Sequence, residues 1–379
     1  MKIITIIGAR PQIIKAAAIS RQILNYYANQ IEEIIVHTGQ HYDQNMSEVF
    51  FDELNIPRPN YNLEVGSSSH GTQTARMIEG IEEILGKENP DYIVLYGDTN
   101  STIGGAIAAS KINVPIVHVE AGLRSYNRKM PEEINRIVCD HLSSFLFSPT
   151  ITGYNNLINE GFNSNKKPPY TPDNPGIFHC GDIMYDNSLY FAEIAFKNSK
   201  ILENHSLDVN NFVLATIHRN HNTDYEENLV SIFKALIKIS KHRKVLLPLH
   251  PRTKNKLENI KDSLFYDEIF NQENLILLPP VSFLDMIQLE KNAKIVITDS
   301  GGVQKEAYFF NKPCVILRPE TEWIEILDTG MAKLVSSNFD DIIEAYNSFE
   351  HVNEMIFPKI FGDGKASKFI CEIIFSNFK

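Results

Sequence analysis

Apolar residues in this chain come in short unbroken runs, and each run is followed by apolar residues at helical spacing. Ile3 to Ile7 is continuous and β-branched, the pattern of a strand buried on both faces. It stops at Gly8-Ala9-Arg10-Pro11. The following QIIKAAAISRQIL has helical spacing and good helix formers, with Pro11 suited to the first turn. EEIIVHT (32–38) predicts a second strand. DYIVLYG (91–97) predicts a third, TIGGAIAASKI a small-residue helix, and PIVHVE (115–120) another strand. Repetition of buried strand, short loop and helix predicts a parallel α/β sheet.

The stretch GFNSNKKPPYTPDNPGIF (161–178) is rich in Asn, Pro and Lys and reads as an exposed loop. The same grammar then restarts. NFVLATI (211–217) predicts a strand, ENLVSIFKALIKIS a helix, and KVLLPLH (244–250) a strand. LILLPP (275–280), KIVITDS (294–300) and PCVILR (313–318) predict further strands. No sequence repeat relates the halves. Two doubly wound domains with a boundary near residue 190 account for the pattern most simply. Ligands of such sheets bind at the carboxyl ends of the strands. A two-domain version is expected to bring those ends face to face across a cleft.

The chain has 379 residues, which favours two domains over one. Hydrophobic residues make up 43% and charged residues 22%, which excludes a largely disordered chain. The 36 Lys and Arg against 47 Asp and Glu leave a net charge of −11. That balance argues against nucleic acid and against a basic membrane-surface protein, but not against one small anion. Cys139, Cys180, Cys314 and Cys371 form no CxxC pair and read as free thiols of a reducing compartment. The first residues lack the apolar stretch of a signal peptide, and no run approaches membrane-spanning length. A cytoplasmic protein without membrane or nucleic-acid partners is expected.

Several strand ends carry candidate chemistry. In KIVITDSGGVQKEAYFF (294–310) a strand ends at Asp299, Ser300, Gly301 and Gly302 and a helix begins. The turn suits phosphate on the free N–H groups of the helix start, with Glu306 one turn on to take ribose hydroxyls. It reads equally as a tight turn without a ligand. Arg10 and Lys15 bring two cations to another helix start, or are simply solvated. Asp98 and Glu120 follow apolar strands, and Glu120 is expensive to bury without a partner. Glu132 and Glu133 open a helix, where the dipole alone accounts for one of them. Acids gathered at one sheet end suit general acid and base work. His218-Arg219 and His250-Pro251-Arg252 end two strands of the second half and suit phosphate or sugar oxygens. His218 and His221 have HxxH spacing, but no further ligands complete a metal site. Phe283 suits stacking on a base, or the core.

Together these segments resemble the UDP-N-acetylglucosamine 2-epimerase family over nearly the whole chain. The resemblance is carried, in order, by GARPQIIK (8–15), HTGQHYDQNM (37–46), GDTNST (97–102), HVEAGLRS (118–125) and MPEEINR (130–136). It continues through HRNHN (218–222), HPRT (250–253), TDSGGVQKEA (298–307) and GDGKAS (362–367). It implies an α/β, GT-B-like fold of two Rossmann-type doubly wound domains facing a central cleft. One would span residues 1–190, with a C-terminal helix (360–379) crossing back to it; the other, binding UDP, would span 191–359.

The implied reaction is non-hydrolysing inversion at C2 of a UDP-2-acetamido sugar, through elimination and re-addition of UDP. It implies no cofactor and no metal, a UDP-sugar partner and a homodimer. By resemblance Asp98, Glu120 and Glu132 are the acid/base candidates, and His218, Arg10 and Lys15 steady the diphosphate. Ser300, Gly301, Gly302 and Glu306 would hold phosphate and ribose, Phe283 the uracil, and His250 phosphate or sugar oxygens. Two features depart from the commonest pattern: the chain reads HRNH, with Asn220 and His221, where many members read HRRE or HRAE, so the acidic residue is absent, and Gln40-His41-Tyr42-Asp43 lacks the full activator run, so activation by substrate is not expected. TEWIE (321–325) with Arg128 and Lys129 resembles the subgroup acting on UDP-2,3-diacetamido-2,3-dideoxyglucuronate, whose C6 carboxylate would take a cation. A hydrolysing epimerase, a glycosyltransferase and a non-catalytic nucleotide-sugar sensor are the competing readings.

Overall fold

The computed structural model describes residues 1–39, 57–259, 264–352 and 354–378. Gln40-His41-Tyr42-Asp43, and with it most of HTGQHYDQNM, lies outside the described residues. The chain divides into two compact units, Met1–Asn187 with Ile360–Lys379, and Ser188–Lys359.

The first unit is built on seven parallel strands: β1 (Lys2–Ile7), β2 (Glu32–His37), β3 (Tyr61–Asn62), β4 (Tyr92–Tyr96), β5 (Ile116–Val119), β6 (Phe145–Ser148) and β7 (Gly176–His179). They lie in the order β3-β2-β1-β4-β5-β6-β7. Ile3, Ile4 and Thr5 of β1 pair with Tyr92, Ile93 and Val94 of β4, while the other edge of β1 pairs with β2. The chain therefore winds outward one way from β1 and the other way from β4. The crevice beyond the ends of those two strands is the switch point of the sheet, where open α/β sheets take their ligands.

Helices cover both faces. The Arg10–Tyr26 helix buries Ile13, Ala16, Ala17 and Ile19. The His70–Glu88 helix was not read from the sequence, although Met77, Ile81, Ile84 and Leu85 have the helical spacing and are its buried face. The C-terminal helix, Ala366–Ser376, belongs to this unit. Asp186 caps it, accepting from Ala366 N at 3.0 Å and Ser367 N at 2.8 Å.

One sequence expectation needs correction. The stretch 161–178 is not loop throughout, because Gly176, Ile177 and Phe178 belong to β7 and pair with Phe145, Leu146 and Phe147 of β6. Four residues behind a Pro- and Asn-rich lead carry too little pattern to declare a strand. The edge of β6 supplies what the local signal lacks.

The second unit repeats the arrangement with β8 (Phe212–Thr216), β9 (Lys244–Pro248), β10 (Leu275–Leu278), β11 (Ile295–Thr298), β12 (Cys314–Ile316) and β13 (Ala332–Leu334). Their order is β10-β9-β8-β11-β12-β13, again all parallel, with the switch point between β8 and β11. The Glu226–Ser240 helix buries Leu229, Ile232, Phe233 and Leu236 against that sheet. Among the described residues no helix is long and apolar enough to cross a membrane.

Candidate active site

In the first unit the switch point is built by one glutamine. Gln12 Oε1 accepts from Gly8 N at 3.0 Å and Ala9 N at 3.2 Å; its Nε2 donates to Tyr96 O at 2.9 Å and Thr102 Oγ1 at 3.1 Å. The turns after β1 and β4 are thereby tied together. Gly8 leaves no room for a side chain: a Cβ there would lie 2.1 Å from Ser101 Oγ.

Lys15 is not a solvated cation. It is buried, and its Nζ meets Glu120 Oε2 at 2.6 Å. This is the partner that a carboxylate closing an apolar strand requires. Glu120 holds a backbone φ of 75°, a left-handed conformation that costs a non-glycine residue about 1–3 kcal/mol. The strand end keeps it there, because Glu120 N and Ala121 N both donate to Phe147 O, each at 3.0 Å. Gly97 (φ 63°) brings the β4 turn against this pair: a Cβ there would sit 3.3 Å from Lys15 Nζ and 3.5 Å from Glu120 Oε1.

Asp98, next in the chain, is ion-paired with Arg136. Burial pushes its carboxyl above the ordinary value and Glu120 adds to this, while Arg136 and Lys15 pull the other way. Arg136 was not singled out from the sequence, although it stands in MPEEINR. Arg10 is exposed at the start of the Arg10–Tyr26 helix.

The adjacent acids of the Pro131–Leu142 helix have separate fates. Glu133 is buried and accepts from Ser125 N at 2.8 Å, Ser125 Oγ at 3.0 Å and Tyr126 N at 3.0 Å, pinning the 123–130 loop. Glu132 is exposed. Glu133→Ala is therefore expected to cost about 1–3 kcal/mol through unmet donors, while Glu132→Ala leaves Tm unchanged within error; thermal melts of both check this.

In the second unit the switch point is organised by Asp299, which is fully buried. Its carboxylate accepts from His218 N and Arg219 N, both at 2.9 Å, and from Asn222 Nδ2 at 3.0 Å; His218 Nδ1 lies 3.0 Å away. Burial opposes the charge, but these donors hold the carboxyl below its ordinary value. The bond to Nδ1 leaves His218 Nε2 as the nitrogen available to a ligand, on a side chain 35% exposed. The His250 ring lies tilted against that of His218, centroids 5.5 Å apart, and its Nδ1 accepts from Arg252 N at 3.2 Å. Burial, with the neighbouring His218 and Arg252 charges, pushes the His250 imidazole down.

Ser300 caps the Gly301–Phe309 helix, accepting from Val303 N, and Trp323 Nε1 donates to Gly301 O at 3.0 Å. Glu306 lies one turn on, beside Glu290, whose carboxyl is pushed well up by burial and by the Glu306 charge. Phe283 packs against Ala192, Ala195 and Ile287, with its ring 5.2 Å from that of Phe191. Arg252 is ion-paired with Asp224 at 2.7 Å, and His221 Nε2 lies 3.4 Å from Ser336 Oγ. Among the described residues no group of three or more His, Cys, Asp or Glu side chains is placed to hold a metal ion.

Residues 26–375 match the family described as UDP-N-acetylglucosamine 2-epimerase. The chain belongs to that family. It is accordingly a carbohydrate epimerase with a GT-B-like pair of Rossmann-type domains. It is 51% identical to the UDP-N-acetylglucosamine 2-epimerase homolog of Methanococcus maripaludis, over 99% of both chains. It is 44% identical to the UDP-2,3-diacetamido-2,3-dideoxy-D-glucuronate 2-epimerase of Pseudomonas aeruginosa, again over 99% of both. The solved UDP-GlcNAc 2-epimerase of Methanocaldococcus jannaschii matches with a TM-score of 0.86 at 38% identity, covering 99% of each chain. Its complex with UDP-GlcNAc and UDP matches at 0.78, 39% identical and also over 99% of each chain.

Proposed function

We propose that the enzyme inverts C2 of a UDP-2-acetamido sugar, converting UDP-N-acetylglucosamine to UDP-N-acetylmannosamine. A base takes the C2 proton. The electron pair of that C–H bond becomes the C1=C2 double bond as the C1–O bond to UDP breaks, leaving 2-acetamidoglucal and UDP. In the return step a UDP oxygen re-forms the bond to C1, and C2 is protonated on the opposite face. Atoms balance without any net oxidation.

The reaction needs an acid or base on each face of C2 and positive charge on the departing diphosphate. The observation that carries the reading is the pairing around Gly97, where Asp98 and Glu120 stand together with a cation on each. Their environments differ: Asp98 is raised by burial, while Glu120 has an ammonium at 2.6 Å. Two carboxyl groups in unlike surroundings suit the division into proton donor and proton acceptor. Glu132 is the third acid/base candidate. His218, Arg10 and Lys15 are assigned to the diphosphate, and His250 to phosphate or sugar oxygens. Ser300, Gly301, Gly302 and Glu306 are assigned to phosphate and ribose, and Phe283 to the uracil side.

A second reading is the same inversion on UDP-2,3-diacetamido-2,3-dideoxyglucuronate. It is favoured by the 44% relative of that name and by Arg128 and Lys129, both exposed in the 126–130 turn. One experiment serves both readings. Incubate the enzyme with each sugar in D₂O and follow C2 by NMR. Deuterium is expected at C2 with the UDP-sugar retained, faster on the true substrate. Free sugar would indicate hydrolysis, and no exchange on either sugar would overturn the proposal.

A further inference from the structure

We infer that His118 and Asp140 are positioning residues, forming a buried charged clamp that sets the places of Asp98 and Glu120. This rests on the reading of those two carboxyl groups as the ones that handle the C2 proton. His118 lies on β5 and is fully buried. Its Nδ1 is 2.7 Å from Asp140 Oδ1, and its Nε2 is 2.8 Å from Gly97 O. A carboxylate and a carbonyl both only accept, so both ring nitrogens must carry hydrogen and the ring is an imidazolium. Burial opposes this charge, but Cys139 and Asp140 raise the imidazole well above its ordinary value.

The other oxygen of Asp140 accepts from Gly122 N at 3.1 Å and meets Arg124 at 2.7 Å. Arg124 in turn clasps both oxygens of Glu160, each at 2.7 Å. His118 and Arg124 are buried around the Asp140 carboxylate, and Glu160, at the exposed end, balances the second cation, as charges taken out of water require. The clamp grips backbone at two points. Gly97 O belongs to the peptide that leads into Asp98. Gly122 N lies two residues beyond Glu120, the residue at φ 75°. One buried group thus bridges the turns after β4 and β5. Small displacements of reacting groups are costly: a shift of about 1 Å loses on the order of 10²-fold in rate.

The clamp has two independent tests. In ¹⁵N-histidine NMR of the whole enzyme, the signals lost in His118→Asn identify His118. Both of its ring nitrogens are expected to show imidazolium shifts and to stay unchanged between about pH 6 and 9; a neutral-ring signature would overturn the clamp. In the second test, His118→Asn places an amide near Nδ1, keeping the Asp140 bond and releasing Gly97 O. His118→Gln places its amide near Nε2 and does the reverse. Relative to wild type, the C2 exchange kcat is expected to fall about 30-fold in the Asn variant with KM within about 3-fold, and less than about 5-fold in the Gln variant. Equal losses in the two variants, or losses that simply follow Tm, would overturn the proposal. Absence of C2 exchange in the wild type would instead overturn the assigned reaction, and the NMR signature would still decide whether the charged clamp exists.

Discussion

Glu120→Gln is expected to lower kcat for C2 inversion by about 10²–10⁴-fold, the contribution typical of a positioned proton-transfer group. The substitution keeps the shape of the side chain and removes its ability to take a proton. Backbone placement survives, because Glu120 N and Ala121 N still donate to Phe147 O. UDP affinity measured by titration calorimetry should stay within a few-fold, since Lys15, the residue assigned to UDP that Glu120 touches, keeps its charge in the variant. Stability should fall as well, because Lys15 Nζ loses the carboxylate now 2.6 Å away. Breaking a buried pair from one side costs about 3–5 kcal/mol when nothing replaces the lost charge, and the amide oxygen of Gln should recover part of it. A variant with an intact kcat, whatever its Tm, would remove Glu120 from the acid/base set.

Asp299→Ala is expected to have the largest effect on stability, a loss of about 3–5 kcal/mol. It strips the partner from two backbone N–H groups, at His218 and Arg219, and from the side chains of Asn222 and His218. Each donor left unmet in a buried place costs about 1–3 kcal/mol before the loop relaxes. The pH dependence has a definite sign. The Asp299 carboxyl is held below its ordinary value of 3.8, so its contribution is fully present above that value and is lost as pH falls through the folded value. Chemical denaturation at a series of acid pH values should therefore show a shallower acid decline in the variant than in wild type. His218 also loses the bond that orients its ring, so kcat should drop together with Tm.

The strands beside the switch points were legible because strands of a parallel sheet are buried on both faces and read as unbroken apolar runs, whereas Tyr61–Asn62, Phe145–Ser148 and Ala332–Leu334 are too short to stand out. Ile3–Ile7 and FVLAT (212–216) are such runs, and each stands next to the switch point of its sheet. Gly176–His179 was not legible, because four residues beside Pro175 carry no period of their own. The helix at His70–Glu88 shows its spacing plainly once Ser69 is recognised as the cap. Strand-end acids stood out because a carboxylate after a buried run demands an explanation. Arg136 and Asn222 did not, because nothing local distinguishes a polar helix residue that faces a carboxylate from one that faces water.

The sequence by itself determined the strands beside both switch points, their parallel winding, and which strand ends carry acids, histidines and glycines. Those signals are local: a period, a turn residue, a cap. Only the tertiary structure decided the partners. It chose Glu133 for the 123–130 loop and left Glu132 exposed, because neighbours on a helix lie about 100° apart and only packing says which one faces inward. It joined Lys15 to Glu120, Arg136 to Asp98 and His118 to Gly97 O. Each of these pairs spans separate elements, and burial makes pairing compulsory without any local pattern naming the partner.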